Sequence, residues 1–275
     1  MLGHQLLKQL GPTHEVRVTL RRPVSEYASL GIFNESNAYG EIDVRDFARV
    51  ARVHAVFAPQ AVVNAVGIVK QRPDAKDNIT SIEVNALFPH RLAELCVASG
   101  TQLVHMSTDC VFSGKKGGYS EDDLPDAEDL YGRSKLLGEV SGARCLSLRT
   151  SIIGRELGRK TGLLEWFLAQ RGTVRGYRNA IFSGFTTIEM ARIIEKVIVR
   201  QGESSGLYHV SSERISKHDL LVRIRDRLGL ETKIQPDDDF RCDRSLDSSR
   251  FRTAFTYSAP SWAEMIDELA GTAGA

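Results

Sequence analysis

Cysteine is scarce in this chain: four residues among 275, at positions 96, 110, 145 and 242. They are scattered and form no CxxC pair, which argues against a zinc ribbon or a disulfide framework and leaves thiols suited to a reducing cytoplasm. No apolar stretch approaches the roughly 18–20 residues that a membrane-spanning helix needs. The first residues also lack the charged-then-apolar order of a secretory signal. Charge of one sign is missing too. The 36 basic and 35 acidic residues give a formal net charge of +1, so no overall field draws nucleic acid or an anionic membrane. Repeats and low-complexity tracts are absent. With 42% hydrophobic and 26% charged residues, the composition is that of a globular protein large enough for one big domain, or a big and a small one. The expectation is a cytoplasmic protein with no membrane partner, no nucleic-acid partner and no metal.

What is present is an alternation of short apolar runs and amphipathic helical stretches, the sign of a parallel sheet with crossover helices. Strands are expected at 16–20, 61–67, 103–107, 145–149 and 207–210. Helices are expected at 79–98, 131–140 and 187–199, the last with Ile188, Ala191, Ile194 and Ile198 on one stripe. Another helix follows Ser216 as N-cap and stops at Gly229. After about residue 150 the alternation loosens, with Gly154, Gly158, Gly162 and the acidic run 236–239 interrupting it. This predicts a doubly wound α/β domain of the Rossmann type from 1–150 and about 184–213. A smaller discontinuous substrate-binding part would take about 151–183 and 214–275. The chain opens directly in helix-like sequence, where such a sheet ordinarily starts with a strand and a glycine-rich turn.

The strongest chemical signal is Tyr131-Gly132-Arg133-Ser134-Lys135, a YxxxK motif. Positions four apart share a helix face, so the ammonium can sit near the phenol and lower its pKa. A phenol so tuned can protonate a developing alkoxide. Upstream, Ser107 and Thr108 end an apolar strand, where open α/β sheets bind ligands. Hydroxyls there can hold a substrate carbonyl oxygen. His105, one turn of strand earlier, reads as a core histidine with satisfied hydrogen bonds.

Taken together, Ser107-Thr108-Asp109, Val111-Phe112-Ser113-Gly114, Tyr119 to Asp122 and Tyr131 to Glu139 resemble the dTDP-4-dehydrorhamnose reductase family, within the extended short-chain dehydrogenases. The likeness runs along nearly the whole chain. It includes Asp43, Asn64-Ala65, Asn85 with Pro89, Arg149-Thr150-Ser151 and 244–251. It implies a catalytic set of Thr108, Tyr131 and Lys135, with Lys135 also holding the nicotinamide ribose. It implies reduction by NADP(H) of a 4-keto carbon on a nucleotide-linked deoxysugar. Gly3 matches the third glycine of the family's GxxGxxG turn, which implies that Met1 falls inside that turn, downstream of the family's first strand. Arg21 and Arg22 follow the first strand here, where arginine suits the 2′-phosphate of NADP. Asp43 and Val44 resemble the adenine-contacting pair, Ala65, Val66 and Gly67 the small-residue edge beside the cofactor, and Asn85 a further cofactor contact. Ser107, Asp109, Arg149 and Arg244 are the candidate substrate contacts, the arginines because a guanidinium grips phosphate with two hydrogen bonds. For both arginines, a structural ion pair is the alternative. A homodimer is the expected assembly.

Three positions depart from the family pattern. Cys110 stands where an aromatic is usual, Ile152 where the rhamnose enzymes carry Trp, and Gly184-Phe185-Thr186-Thr187 where Gly-x-Pro-Thr is usual. These changes fall in the substrate half and widen the substrate to other UDP- or dTDP-linked 4-keto-6-deoxysugars. Trp166 and Phe167 could stack on base or sugar, or simply fill the core. Two other functions share the resemblance: an NAD-dependent epimerase or dehydratase, and a non-catalytic NADP-binding regulatory subunit like that of methionine adenosyltransferase.

Overall fold

The computed structural model describes residues 1–69, 77–158, 160–200 and 205–271. Helix α1 (Leu2–Leu10) opens the chain and buries Leu2, Leu6, Leu7 and Leu10; it packs on helix α7, described below. Strands β1 (Val18–Thr19) and β2 (Ala38–Tyr39) follow and pair in parallel. Helix α2 (Phe47–Phe57), capped by the Asp46 side chain, leads into β3 (Ala61–Asn64). The expected helix at 79–98 is real but divided: α3 (Asn78–Ile82), a π-helical turn at Glu83–Leu87, and α4 (Phe88–Ser99). The wider turn carries Asn85, which is fully buried; such insertions concentrate at functional sites.

Strand β4 (Gln102–Met106), helix α5 (Leu130–Leu137) and strand β5 (Cys145–Arg149) come next. All residues of β4 and β5 are buried, because helices cover both faces of a central parallel sheet and leave no side for polar alternation. The remaining elements are β6 (Ile152–Ile153), α6 (Leu163–Leu168), β7 (Thr173–Tyr177), β8 (Ala180–Phe182), β9 (Phe185–Thr186) and α7 (Thr187–Val199). They are followed by β10 (Gly206–His209), β11 (Ile215–Ser216), α8 (Lys217–Leu228), β12 (Lys233–Asp237), β13 (Cys242–Asp243), α9 (Ser249–Phe255) and α10 (Trp262–Gly271).

Four parallel strands form a sheet in the order β10-β5-β4-β3, and β1-β2 form a separate parallel pair. The fold is Rossmann-type α/β, as the alternation predicts. Helix α7 has the expected bounds, and Ser216 caps α8 while Gly229 ends it in the left-handed region. The later half is more structured than the sequence suggests. Among the described residues it holds three small sheets, β11-β8-β13, β12-β7 and β6-β9, most of their strands only two or three residues long. The acidic run does not simply loop out: Pro236 and Asp237 close the β12-β7 ladder. One large core joins α1, α7, β4, β5 and α8 to α10 through residues such as Leu6, Val104, Leu148, Ile194, Leu220, Phe251 and Met265.

Candidate active site

The site forms where β4 ends. The chain leaves Met106 through Ser107 and Thr108 into a single turn at Asp109–Val111, and the Thr108 hydroxyl caps that turn by accepting from the Cys110 amide at 3.1 Å. Asp129 starts α5 the same way, accepting from the Gly132 amide at 2.8 Å. That start sets Tyr131 and Lys135 one turn apart beneath the strand end. Gly132 is the contact point: a Cβ there would lie 2.2 Å from the Cys110 carbonyl oxygen. The glycine inside the motif thus allows α5 to lie directly on the hydroxyl turn.

Thr108 lies close enough to Tyr131 to act on the titration of its phenol, so the structure does bring the phenol and the strand-end hydroxyl together. Burial nevertheless pushes the Tyr131 pKa up, Cys110 and Asp109 add to the rise, and Thr108 opposes it. The expected lowering by Lys135 is not found. Lys135 is buried and donates from Nζ to the Met106 carbonyl at 2.7 Å, with His105 Nε2 at 3.4 Å. A shared helix face puts the two side chains side by side, but a backbone acceptor within reach claims the amine. Burial lowers the Lys135 pKa to about 8, against an opposing pull from Glu139.

The candidate cofactor contacts divide into those near a strand end and those built into the frame. Ala65, Val66 and Gly67 follow β3 at its carboxyl end; the Val66 amide donates to Asn64 Oδ1 at 3.2 Å. Asn85, expected to meet the cofactor, is fully buried instead. Its Oδ1 accepts from the Ile68 amide at 2.8 Å, and its Nδ2 donates to the Ile68 carbonyl at 3.0 Å and to Ser134 Oγ at 3.1 Å. The π-helical turn aims it inward, so it ties the loop after β3 to α5. Gly3 sits at the start of α1, where an added Cβ would meet nothing within 4 Å; the close packing on a strand expected of it is not seen. Asp43 lies beside β1, gripped by Arg45 at 2.7 and 3.0 Å and approached by Arg21 at 3.3 Å. The Arg45 hydrogen bonds hold its carboxyl at about 2. Arg22 pairs with Glu26 at 2.9 Å, and Val44 packs against the cluster around Phe88.

Among the substrate candidates, Ser107 donates to Glu139 Oε1 at 2.7 Å. Arg149 binds the same carboxylate with Nε–Oε1 at 2.7 Å and Nη2–Oε2 at 2.8 Å, and its Nη1 lies 3.2 Å from His209 Nε2. Arg149 is 3% exposed. The ion pair read as its alternative is what the structure shows, in place of a side chain reaching for a diphosphate. Arg244 donates to the Phe112 carbonyl at 2.7 Å and acts electrostatically on the buried Asp109, whose pKa is raised by burial. Burial pushes the Cys110 thiol up to about 12. Phe167 is fully buried, whereas Trp166 is partly exposed. Two departures from the family pattern lie on neighbouring strands: Ile152 of β6 is the register partner of Phe185, next to Thr186 of β9. Among the described residues no cluster of three or more His, Cys, Asp or Glu side chains could hold a metal ion, and no helix is long and apolar enough to cross a membrane.

The sequence reading missed Glu139 as a structural centre, although it continues the four-residue spacing of Tyr131 and Lys135. Arg45 was also missed, because only its contact with Asp43 marks it. His209 left no signal of its kind in the sequence.

The family profile described as "RmlD substrate binding domain" matches residues 1–273. The chain is 27% identical over 199 residues to a dTDP-4-dehydrorhamnose reductase of Aggregatibacter actinomycetemcomitans, covering 68% of each chain. It is 30% identical over 189 residues to methionine adenosyltransferase 2 subunit beta of Danio rerio, covering 63% of this chain and 57% of that one. Its fold matches the crystal structure of a dTDP-4-dehydrorhamnose reductase from Bacillus anthracis str. Ames in complex with NADP, with TM-score 0.75, 19% identity, and 93% and 99% of the two chains covered.

Proposed function

The chain belongs to the RmlD substrate binding domain family, and on that premise we propose that it is an NADPH-dependent reductase of a nucleotide-linked 4-keto-deoxysugar. The observation that carries this reading is the placing of Thr108 beside Tyr131, with the buried Lys135 one turn along the same helix. Thr108 and Tyr131 would bind the carbonyl oxygen of the substrate. As that oxygen becomes an alkoxide, the phenol gives up its proton to it, and the hydroxyl of Thr108 stabilises the phenolate left behind. A bound NADPH would supply the hydride. The residues fit that cofactor by their chemistry: Arg21, Arg22 and Arg45 gather beside β1 as guanidinium donors for a phosphate, and the small residues Ala65 to Gly67 leave room at the end of β3. The NADP named for the Bacillus anthracis enzyme agrees with this choice.

On this reading residues 1–150 and about 184–213 form the cofactor part, and about 151–183 and 214–275 the substrate part. The protein would work in the cytoplasm on a dTDP- or UDP-linked 4-keto-6-deoxysugar, with a homodimer as the assembly to look for. The departures at Ile152 and Thr186 support a sugar other than that of the rhamnose enzymes. A second reading, a non-catalytic NADP-binding subunit, draws on the likeness to the Danio rerio protein. The intact Thr108, Tyr131 and Lys135 favour catalysis over it.

The test is NADPH oxidation in the presence of a panel of nucleotide 4-keto-6-deoxysugars. Turnover with one member, falling roughly 10²–10⁴-fold in Tyr131→Phe, is expected for a general acid. Turnover unchanged in that variant would remove the mechanism. Tight NADPH binding with no turnover on any panel member would select the regulatory reading.

A further inference from the structure

Lys135 is held from below by two residues to which the chemistry above assigns no part. Asn64 and His105 are register partners across the β3-β4 ladder, so their side chains rise on the same face. Asn64 Nδ2 lies 3.0 Å from His105 Nδ1, and His105 Nε2 lies 3.4 Å from Lys135 Nζ. The direction of each bond can be worked out. The Val66 amide is a donor and sits on Asn64 Oδ1 at 3.2 Å, which fixes the amide with Nδ2 toward the histidine. An amide nitrogen only donates, so His105 Nδ1 must accept and carries no proton. A neutral imidazole then bears its proton on Nε2, pointing at Lys135. Nζ already donates to the Met106 carbonyl at 2.7 Å. Only an uncharged amine has a lone pair to receive the Nε2 proton; an ammonium would set two donors face to face.

We infer that Asn64 and His105 are positioning residues that lock one imidazole tautomer beneath Lys135 and so make its ammonium form less favourable than that of an ordinary lysine. Restoring the ammonium with all bonds satisfied requires the proton to move to Nδ1 and the Asn64 amide to turn over, which breaks the Val66 bond. Lys135 therefore gives up its proton more readily than an ordinary lysine and is not a fixed cation. The titratable neighbours are His90 of α4, which acts on His105 electrostatically, Glu139 beyond α5, which favours the ammonium, and Tyr131 one turn earlier on α5. The lowered proton affinities of both His105 and Lys135 agree in direction with this arrangement. Its use in reduction rests on the function proposed above, whereas the tautomer itself does not.

Two-bond nitrogen–proton correlation spectra of histidine-labelled protein, taken without cofactor or substrate, read the tautomer directly. His105 is identified by through-bond correlation to the backbone. The expected result is a neutral His105 protonated on Nε2 at pH 7. A proton on Nδ1, or an imidazolium, would overturn the inference. Asn64→Asp supplies an acceptor in place of the donor. It is expected to move the proton to Nδ1 and to raise the proton affinity of Lys135 about tenfold or more, followed by the pH titration of its Cε and Nζ resonances. Should that variant not fold, Asn64→Ala, which only deletes the donor, is expected to weaken the Nε2 preference and raise the Lys135 affinity in the same direction. A titration of Lys135 unmoved in the folded variant would sink the proposal. Because no turnover is measured, this outcome stands apart from success or failure of the reductase assay.

Discussion

Arg149 and Glu139 form a two-pronged ion pair, 2.7 and 2.8 Å, with the arginine buried and the carboxylate largely so. Ser107 donates to the same carboxylate, so one acid joins the ends of β4, α5 and β5. Breaking such a pair leaves an uncompensated charge in the interior, which costs roughly 3–5 kcal/mol, while replacing both partners by neutral groups costs less. Glu139→Gln is therefore expected to lower stability by about that amount in urea unfolding. The double variant Glu139→Gln/Arg149→Met should recover part of the loss. Additive losses in the two single variants and the double would show that the pair is not coupled.

Two glycines drawn from family motifs should behave in opposite ways. Gly132→Ala places a Cβ 2.2 Å from the Cys110 carbonyl and 2.7 Å from Ala127 Cβ, so α5 must move off the hydroxyl turn. Loss of activity and a clearly lower Tm are expected. Gly3→Ala meets nothing within 4 Å inside α1, and alanine is the better helix former by up to about 1 kcal/mol. Its Tm should be unchanged or slightly higher.

Acid should destabilise the protein before its carboxylates titrate. Burial holds His4 and His209 at about 4 and His105 well below the usual 6.5. An unfolded chain takes up those protons near pH 6.5 and the folded one does not, so stability falls as pH drops from about 6.5 toward 4. Each such histidine contributes a slope of up to about 1.4 kcal/mol per pH unit. Denaturant unfolding between pH 7 and 5 reads the slope directly; a flat profile would contradict the burial of these rings.

Cys110 stands beside the phenol but should be inert. Its thiol is pushed up to about 12, chiefly by burial and further by Asp109, and the thiolate is the reactive form. Treatment of native protein with a thiol reagent at pH 8, followed by mass spectrometry of the Cys110 peptide, should find it unmodified until denaturant is added.

How much of this was legible in the sequence follows from what each feature depends on. Buried parallel strands and α7 announce themselves, because apolar runs and a regular stripe are local properties. So does the coincidence of Ser107, Thr108, Tyr131 and Lys135, whose spacing encodes a strand end and a helix face. The placement of Asn85 and Arg149 was not legible: a π-helical turn and a shared carboxylate are decided by packing, which gives a polar residue an inward partner where the family likeness suggested a ligand. The direction of the Lys135 amine was hidden for a similar reason, since its acceptor is a backbone carbonyl that every residue possesses. Some short strands of the later half, such as Ile152–Ile153 against Phe185–Thr186, offer two residues each and no period to read.

The bridge that Asn85 makes between the Ile68 backbone and Ser134 Oγ has a mechanical effect. The segment after β3 and the helix bearing the phenol are bolted to one post, and Gly138 presses the far end of that helix against the Asn85 carbonyl, where a Cβ would come to 1.9 Å. Ala65 to Gly67 and Tyr131 are thereby carried on segments that share one anchor, which fixes the spacing between the end of β3 and the phenol.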